Sequence, residues 1–510
     1  MNKKVKVRFA PSPTGALHIG GIRTALFNYL FAKKHGGEFL LRIEDTDQHR
    51  FVAGAEKYII DSLSWLGIVP DDGINPDGTA KYRQSEREYR SFAQKLIDSG
   101  HAYYAFDSSE KIEAMKKSFE AAGVSNPGYT NATRGVMENS FTLSKEDVYK
   151  RLADGVPYVI RFNTPADKVI EFNDSVKGLI TFNSSSMDDK VLFKSDGLPT
   201  YHLANVVDDH LIEITHVIRG DEWLPSTSLH IMLYDAFGWD KPEFCHLPLI
   251  LGPDGSKLSK RHGDKYGFPV FPMTWDYVNE KNESVHITGF KDENYEPDAL
   301  INFLALIGWN PGGDKEFMSM DEMIDLFSLD RINNSGGMFD IEKLKNFNAH
   351  YLRNNRSSND LFVRNIMPHI KEVIKTYTES EIDKIVKIAS NRSVFRNDLY
   401  KSVSYFFEPV VLSDDVVLKN ESEFRNVMTL FLVNPCNRVI WTEYEIEKVL
   451  KNLCENIYNI KIGKVLPDLR LALTGGLPGP ELPLVMLILG PQESCNRIDD
   501  LLLKTKKVAS

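Results

Sequence analysis

Two short stretches hold the residue types that phosphate chemistry needs. "PSPTGALHIGG", Pro11 to Gly21, crowds Gly15, Gly20 and Gly21 around His18, and "GSKLSKRHG", Gly255 to Gly263, sets Lys257, Lys260 and Arg261 among serines and glycines. Glycines let a ligand approach the backbone closely, and a histidine can donate to a phosphate oxygen. A lysine loop facing such a cradle suits in-line attack on the α-phosphate of ATP, because charge builds up on the departing pyrophosphate. Taken singly, the first stretch also reads as a structural turn and the second as a solvated charged loop; the pair is what points to nucleotide chemistry.

The elements that must position these residues are legible around the first stretch. Val5, Val7 and Phe9 alternate with Lys4, Lys6 and Arg8, the period of a short strand with one buried face, and that strand must stop at Pro11. From Ile22 the apolar residues Ala25, Leu26, Tyr29 and Leu30 recur at helical spacing until Gly36 and Gly37, and "EFLLRIEDTD", Glu38 to Asp47, reads as a second, buried strand. Strand, helix and strand within about fifty residues predict a parallel crossover unit, the start of a doubly wound sheet. In such a sheet the helix N-terminus beside the loop offers free N–H groups and positive potential to phosphate.

Composition bounds the rest. A chain of 510 residues is too long for one core, and by usual domain sizes it holds about three to five domains. Apolar residues at 42% and charged residues at 26% fit a globular protein, with no apolar run of membrane-spanning length. The N-terminus passes straight into a strand pattern, so a cytoplasmic home is expected. Cys245, Cys436, Cys454 and Cys495 never form a Cys-x-x-Cys pair and read as inert thiols. A net charge of -10 leaves room for a polyanionic partner held in local basic tracks.

The two stretches resemble the signatures of the class I aminoacyl-tRNA synthetases. His18-Ile19-Gly20-Gly21 is similar to the family's His-Ile-Gly-His, and Lys257-Leu258-Ser259-Lys260-Arg261 to its Lys-Met-Ser-Lys-Ser. "RFAPSPTG", "LRIEDTD", "YHLANVVDDH", "VIRGDEW", "FDIEKLKNFNAHYLR" and "RLALTGGLPGPELPL" look like segments of bacterial-type glutamyl-tRNA synthetases in the expected order, so the resemblance covers nearly the whole chain. It implies a multidomain α/β fold: an N-terminal doubly wound, Rossmann-like catalytic domain with a connective insertion, then a predominantly α-helical anticodon-binding region. The implied boundaries are 1–104 for the first catalytic half, 105–194 for the insertion that holds the acceptor end, 195–263 for the second half with the lysine loop, 264–335 for a stem-contact region, and 336–510 for the helical anticodon-binding domains.

The activity this implies is ATP-dependent conversion of L-glutamate to glutamyl-adenylate and transfer to the 3′ end of tRNA(Glu), with bound tRNA required for activation. The resemblance makes His18, Lys257 and Lys260 catalytic and assigns ATP to Thr14, Gly15, His18, Gly20, Gly21, Ser259 and Lys260. It places Arg8, Ser12, Glu44, Tyr201, Asn205, Arg219 and Trp223 around the amino acid. The chemistry agrees, since glutamate needs cations for two carboxylates and an anion for its ammonium. Glu44 is assigned to the ammonium and the two arginines to the carboxylates, in an order left open. Structural ion pairs compete for Arg8 and Arg219, and core packing competes for Tyr201 and Trp223.

Magnesium is expected with ATP, and no metal held by protein side chains. Many relatives carry cysteine zinc ligands near the start of the insertion, where this chain has "HAYYAFDSSE", so no zinc is expected. The expected partners are tRNA(Glu) and L-glutamate, without a membrane, in a monomer. After Gly263 the chain carries an extra stretch rich in prolines and aromatics that reads as a surface insertion on the catalytic domain. Among the helical C-terminal residues, Arg392, Arg396 and Arg470 are weak candidates for anticodon contacts. Competing readings are a glutaminyl enzyme, disfavoured by the helical C-terminal pattern, a non-discriminating enzyme that also charges tRNA(Gln), a small-molecule adenylating enzyme, and a catalytically dead RNA-binding relative.

Overall fold

The computed structural model describes residues 4–354, 377–413, 416–433 and 440–508. The chain divides into two compact units, one of residues 1–293 and 297–341, the other of residues 294–296 and 342–510.

The first unit opens as the sequence pattern requires. Strand β1 (Lys6–Phe9), helix α1 (Ile19–Lys34) and strand β2 (Glu38–Leu41) form a crossover in which β1 and β2 run parallel with Arg8 opposite Leu40. Alternation in β1 predicts one buried face, yet Arg8 is buried along with Val7 and Phe9. Both faces of the strand are covered, as in parallel sheets generally, and Arg8 tolerates this because Asp209 neutralises it. Helices α2 (Ala55–Trp65) and α3 (Arg90–Asp98) follow.

Next come β3 (Ala102–Ala105), α4 (Ser109–Ala121), α5 (Lys145–Ala153), β4 (Val159–Phe162), the hairpin of β5 (Val169–Asp174) and β6 (Gly178–Asn183), and β7 (Val191–Phe193). β3, β4 and β7 make an antiparallel sheet of their own. Helix α6 (Tyr201–Leu211), β8 (His216–Gly220), α7 (Leu224–Phe237) and β9 (Glu243–Leu247) then complete a four-stranded sheet in the order β6-β5-β9-β8. The β5–β6 hairpin lies in the stretch 105–194 assigned to the insertion, yet β5 pairs in parallel with β9 at Asp174 and Phe244. The Thr215 N–H donates to Lys6 O at 2.9 Å, setting the start of β8 beside β1.

Strand β10 (Ile250–Leu251) leads into the lysine loop and helix α8 (Lys260–Tyr266). The insertion after it forms an antiparallel hairpin, β11 (Trp275–Val278) with β12 (Ser284–Ile287). Trp275 stacks on Tyr58 of α2 at 4.9 Å and on Tyr277 at 4.3 Å, and Tyr58 Oη donates to Met273 O, so the hairpin packs on the catalytic domain. β10 pairs with a short strand β13 (Gly337–Met338).

The second unit is helical. Helices Ile341–Asn354, Glu379–Arg392, Glu421–Val433, Glu443–Lys451 and Leu466–Thr474 surround a core that includes Leu352, Phe424, Met428, Leu469 and Met486. Thr378 and Glu381 close a reciprocal capping box at one of these helices. The last helical stretch, Leu482–Val508, breaks at Gly490, where φ is 80° and Pro491 follows. Cys245 and Cys454 are buried thiols, but Cys495 is disulfide-bonded. Linear spacing carries no information on which cysteines meet in space. Cys436 lies outside the described residues. No described helix is long and apolar enough to cross a membrane.

Candidate active site

The loop between β1 and α1, together with the C-terminal end of β8, encloses a cavity of about 390 Å³. Its walls include Arg8, Ser12, Thr14, Gly15, His18, Gly20, Gly21, Glu44, Tyr201, Asn205, Arg219 and Trp223, every residue expected for the amino acid and five of the seven expected for ATP. Strand ends and one helix face converge there: Arg8 lies on β1, Glu44 follows β2, Tyr201 and Asn205 lie one turn apart on α6, and Arg219 is on β8.

The N-terminus of α1 differs from the expectation of free N–H groups. Ile19 N–H donates to Val270 O, Gly20 N–H to His18 Nδ1, and those of Gly21 and Ile22 to His18 O. What remains is the positive helix end and the other nitrogen of His18. Burial, helped by the charges of Lys257 and His262, lowers the His18 pKa to about 4. With Nδ1 accepting from Gly20, the neutral ring carries its proton on Nε2, a buried atom with no partner among the described residues. Two of the glycines act differently. Gly15 has a φ of +145°, which favours glycine, whereas a Cβ on Gly21 would meet Leu17 Cδ1 at 2.6 Å, so that glycine serves packing.

The two arginines are held in opposite ways. Arg8 grips Asp209 with Nε to Oδ1 at 3.0 Å and Nη2 to Oδ2 at 3.1 Å, and also reaches Asn205 Oδ1. Arg42, buried, joins the same knot with Asp209 at 2.6 Å, Glu44 at 3.0 Å and Asn205 at 2.9 Å. The competing ion-pair reading of Arg8 is thus part of what it does. Arg219 has no carboxylate within ion-pair distance among the described residues. Its neighbours are neutral acceptors: Tyr201 Oη at 2.7 Å, Thr227 Oγ1 at 2.7 Å, His246 Nε2 at 3.0 Å and Trp223 O at 3.3 Å. Burial raises the Glu44 carboxyl against the pull of Arg42 and Arg8. Trp223 is 41% exposed and tilts against Tyr201 at 4.5 Å, a rim position rather than a core one.

The lysine loop is placed apart from this cavity. Lys257 Nζ lies 3.5 Å from Glu222 on the cavity rim. Ser259 and Lys260 do not line the cavity; Lys260 begins α8 and faces a separate space of about 400 Å³ walled by Phe268–Phe271 and His286–Thr288. The base of the loop is organised by His262, whose Nδ1 accepts from Ser259 N–H and whose Nε2 meets Asp254 at 3.0 Å.

A second cavity, of about 600 Å³, shares Ser12, Thr14, Glu44, Tyr201 and Trp223 with the first and continues past Arg50 and Lys194 to Val159 and Val191 of the β3-β4-β7 sheet. Among the described residues no group of three or more His, Cys, Asp or Glu side chains could hold a metal ion. Sequence reasoning missed Arg42, Asp209, Asp174, His246 and Thr227. Asp209 had a signal, since it follows Asn205 by four residues and so shares its helix face. Arg42 stands two residues from Glu44 and Thr227 eight from Arg219, whereas Asp174 and His246 become neighbours only through long-range pairing.

Residues 4–346 match the family described as tRNA synthetases class I (E and Q), catalytic domain, and residues 361–502 match an anticodon binding domain. A glutamate–tRNA ligase of Amoebophilus asiaticus is 47% identical over 511 residues, covering 98% of each chain. One from Flavobacterium psychrophilum is 48% identical over 507 residues, covering 98% of this chain and 99% of its own. The crystal structure of a glutamate tRNA ligase from Elizabethkingia meningosepticum in complex with its amino acid superposes with a TM-score of 0.87 at 42% identity, covering 98% of this chain and 99% of that one.

Proposed function

The chain belongs to the class I tRNA synthetases of the E and Q type and is an ATP-using glutamate–tRNA ligase, and from that premise we propose how its own residues divide the work. The observation that carries the reading is Arg219, a buried cation surrounded by neutral acceptors at the wall of the main cavity. The side-chain carboxylate of glutamate supplies the missing charge, where the neutral amide of glutamine would leave the cation uncompensated. Glu44, with Arg42 on one oxygen, receives the ammonium. Arg8 already shares its charge with Asp209, so it contributes hydrogen bonds to the second carboxylate more than net charge.

In this reading glutamate lies with an α-carboxylate oxygen in line with the α-phosphorus of ATP. His18 Nε2–H donates to the phosphate, and Lys260, with Lys257 and Ser259, arrives when the loop moves toward the cavity. The oxygen–phosphorus bond forms as pyrophosphate leaves, giving glutamyl-adenylate. The cavity offers only Glu44 and Glu222 as carboxylates and Glu44 is engaged, which suits Mg²⁺ carried by ATP phosphates and water. When bound it shields charge on the leaving group. The adjoining cavity is the place for the terminal adenosine of the tRNA, whose hydroxyl then attacks the mixed anhydride and releases AMP.

We retain the five-part division at 104, 194, 263 and 335, a zinc-free insertion, a monomer and a cytoplasmic setting as parts of the proposal. Where zinc ligands would begin, Asp107 instead accepts from Glu138 N–H and Tyr129 Oη. In the helical unit Arg396 is ion-paired with Glu296, which removes it as a free anticodon contact. Arg470 Nη1 and Tyr405 Oη are buried and unpartnered beside Gly479, and we assign this pair to the anticodon end of the tRNA.

The deciding experiment is ATP–pyrophosphate exchange with glutamate or glutamine, with and without purified tRNA(Glu) and tRNA(Gln). Exchange that requires glutamate and tRNA(Glu) alone supports a discriminating enzyme; support from both tRNAs makes it non-discriminating. Exchange that ignores tRNA removes the tRNA-gated step.

A further inference from the structure

The least expected feature around Arg219 is what holds it from behind. His246, on β9, and Asp174, at the end of β5, are both buried, and neither lines the cavity. Asp174 Oδ1 accepts the backbone N–H groups of Val176 at 3.0 Å and Lys177 at 2.9 Å, which fixes the carboxylate in place. Its Oδ2 accepts the His246 backbone N–H at 3.1 Å and lies 2.6 Å from His246 Nδ1. An anion there requires a proton on Nδ1, so Nε2 presents its lone pair, and Arg219 Nε–H donates to it at 3.0 Å. Thr227 Oγ1 closes the set, 3.1 Å from the same Nε2 and 2.7 Å from Arg219 Nη2. With Nε and Nη2 anchored, the guanidinium plane is fixed with Nη1 toward Tyr201 at the cavity wall.

We propose that Asp174 and His246 are positioning residues for glutamate: the buried carboxylate sets the imidazole tautomer, and the imidazole lone pair orients Arg219 toward a substrate carboxylate. The inference rests on the assignment of Arg219 to glutamate made above. It also explains how the site keeps its cation uncompensated. Asp174 reaches the guanidinium only through a neutral ring, so the charge is steadied without being neutralised by direct contact, unlike the Arg8 and Asp209 pair.

The chemistry gives a specific reversal. In Asp174→Asn the Val176 and Lys177 N–H groups retain the amide oxygen, which the His246 backbone N–H also reaches at 3.3 Å, leaving the NH₂ to face His246 Nδ1. The ring must then carry its proton on Nε2, where it opposes Arg219 Nε–H, donor against donor. In His246→Gln a side-chain amide oxygen can still accept from Arg219, and no tautomer is left for Asp174 to set.

The test is steady-state pyrophosphate exchange at saturating tRNA(Glu) for Asp174→Asn, His246→Gln, the double variant and Arg219→Lys, with thermal unfolding of each. The expected result is a rise of about tenfold or more in the glutamate KM of Asp174→Asn, with the KM for ATP unchanged. His246→Gln should be milder, and adding Asp174→Asn to it should cost little more. Unchanged glutamate KM in Asp174→Asn, or a full additive penalty in the double variant, overturns the relay while leaving Arg219 in its role. Unchanged glutamate KM in Arg219→Lys overturns the assignment of Arg219 itself. If Asp174→Asn does not fold, His246→Asn against His246→Gln supplies the same contrast, the shorter amide failing and the longer one rescuing; equal glutamate KM in those two overturns the relay.

Discussion

At the scale of single residues, burial sets the protonation of the imidazoles around the cavity. His18 and the histidines near Arg219 are all kept neutral by burial; His18 and His202 fall to about 4, and His230 is pushed well below its ordinary value. A histidine with a depressed folded-state pKa binds its proton less readily folded than unfolded. The stability it contributes is therefore complete above about 6.5 and declines as pH falls toward about 4. Thermal unfolding followed from pH 7 to pH 4 should show that decline, and a His230→Gln variant should show less of it. Lys260→Ala should slow adenylate formation by about 100-fold or more while leaving tRNA affinity nearly intact. A comparable loss in tRNA binding would make Lys260 structural. Arg42→Met leaves Glu44 and Asp209 without a shared partner in the interior, and breaking a buried pair this way costs about 3–5 kcal/mol. Denaturant unfolding should register it even with glutamate absent.

At the scale of elements, the loop between β1 and α1 is braced rather than free. Val270 O takes the first N–H of α1, Phe271 meets the His18 ring edge-on at 5.7 Å, and the Tyr277 hydroxyl stands 3.5 Å from where a Cβ on Gly15 would be. The stretch after Gly263, with no evident task in the sequence, is thus a strap across the loop between β1 and α1. Gly21→Ala forces the end of the Leu17 side chain to move, an overpacking cost of about 1–3 kcal/mol set against about 1 kcal/mol of helix propensity gained inside α1, so a net loss of up to about 2 kcal/mol in unfolding is expected. Gly490→Ala meets open space, so its cost is confined to the backbone, where φ is 80° and ψ is 168°. A loss of about 1–3 kcal/mol in unfolding, without a change in glutamate KM, is expected.

At the scale of the whole molecule, the two compact units correspond closely to the stretches that match a catalytic-domain family and an anticodon-binding family. A Cβ on Gly479 would stand 2.9 Å from Arg470 Nη1 and 3.2 Å from Tyr405 Oη, so Gly479→Val displaces that pair. It should raise the KM for tRNA, with exchange restored at saturating tRNA, because the adenylation residues lie in the other unit. Aminoacylation kinetics against tRNA concentration distinguish this from a loss of catalytic rate.

Period and turn residues by themselves determined the crossover unit and the helical C-terminal half; of the residues lining the cavity, His18 and the glycines stood in one local stretch, whereas Arg8, Ser12, Glu44, Tyr201, Asn205, Arg219 and Trp223 were reached through the family resemblance. Arg8, Glu44, Tyr201 and Arg219 were legible as chemistry, while the charged partners of Arg8 and Glu44 were not named from the sequence. Only the tertiary structure decided that Asp209 balances Arg8, that Arg42 sits behind Glu44, and that Asp174 and His246 stand behind Arg219. Asp174 and Arg219 lie on β5 and β8, strands that do not touch each other and are joined through β9. Charge compensation depends on distance in space, and sheet order sets that distance while sequence separation does not. The same reason hid the acceptor of the first N–H of α1, since Val270 is some 250 positions from Ile19 along the chain yet only 3.0 Å away in the fold, while the N–H groups of Gly20, Gly21 and Ile22 turn to His18 close by.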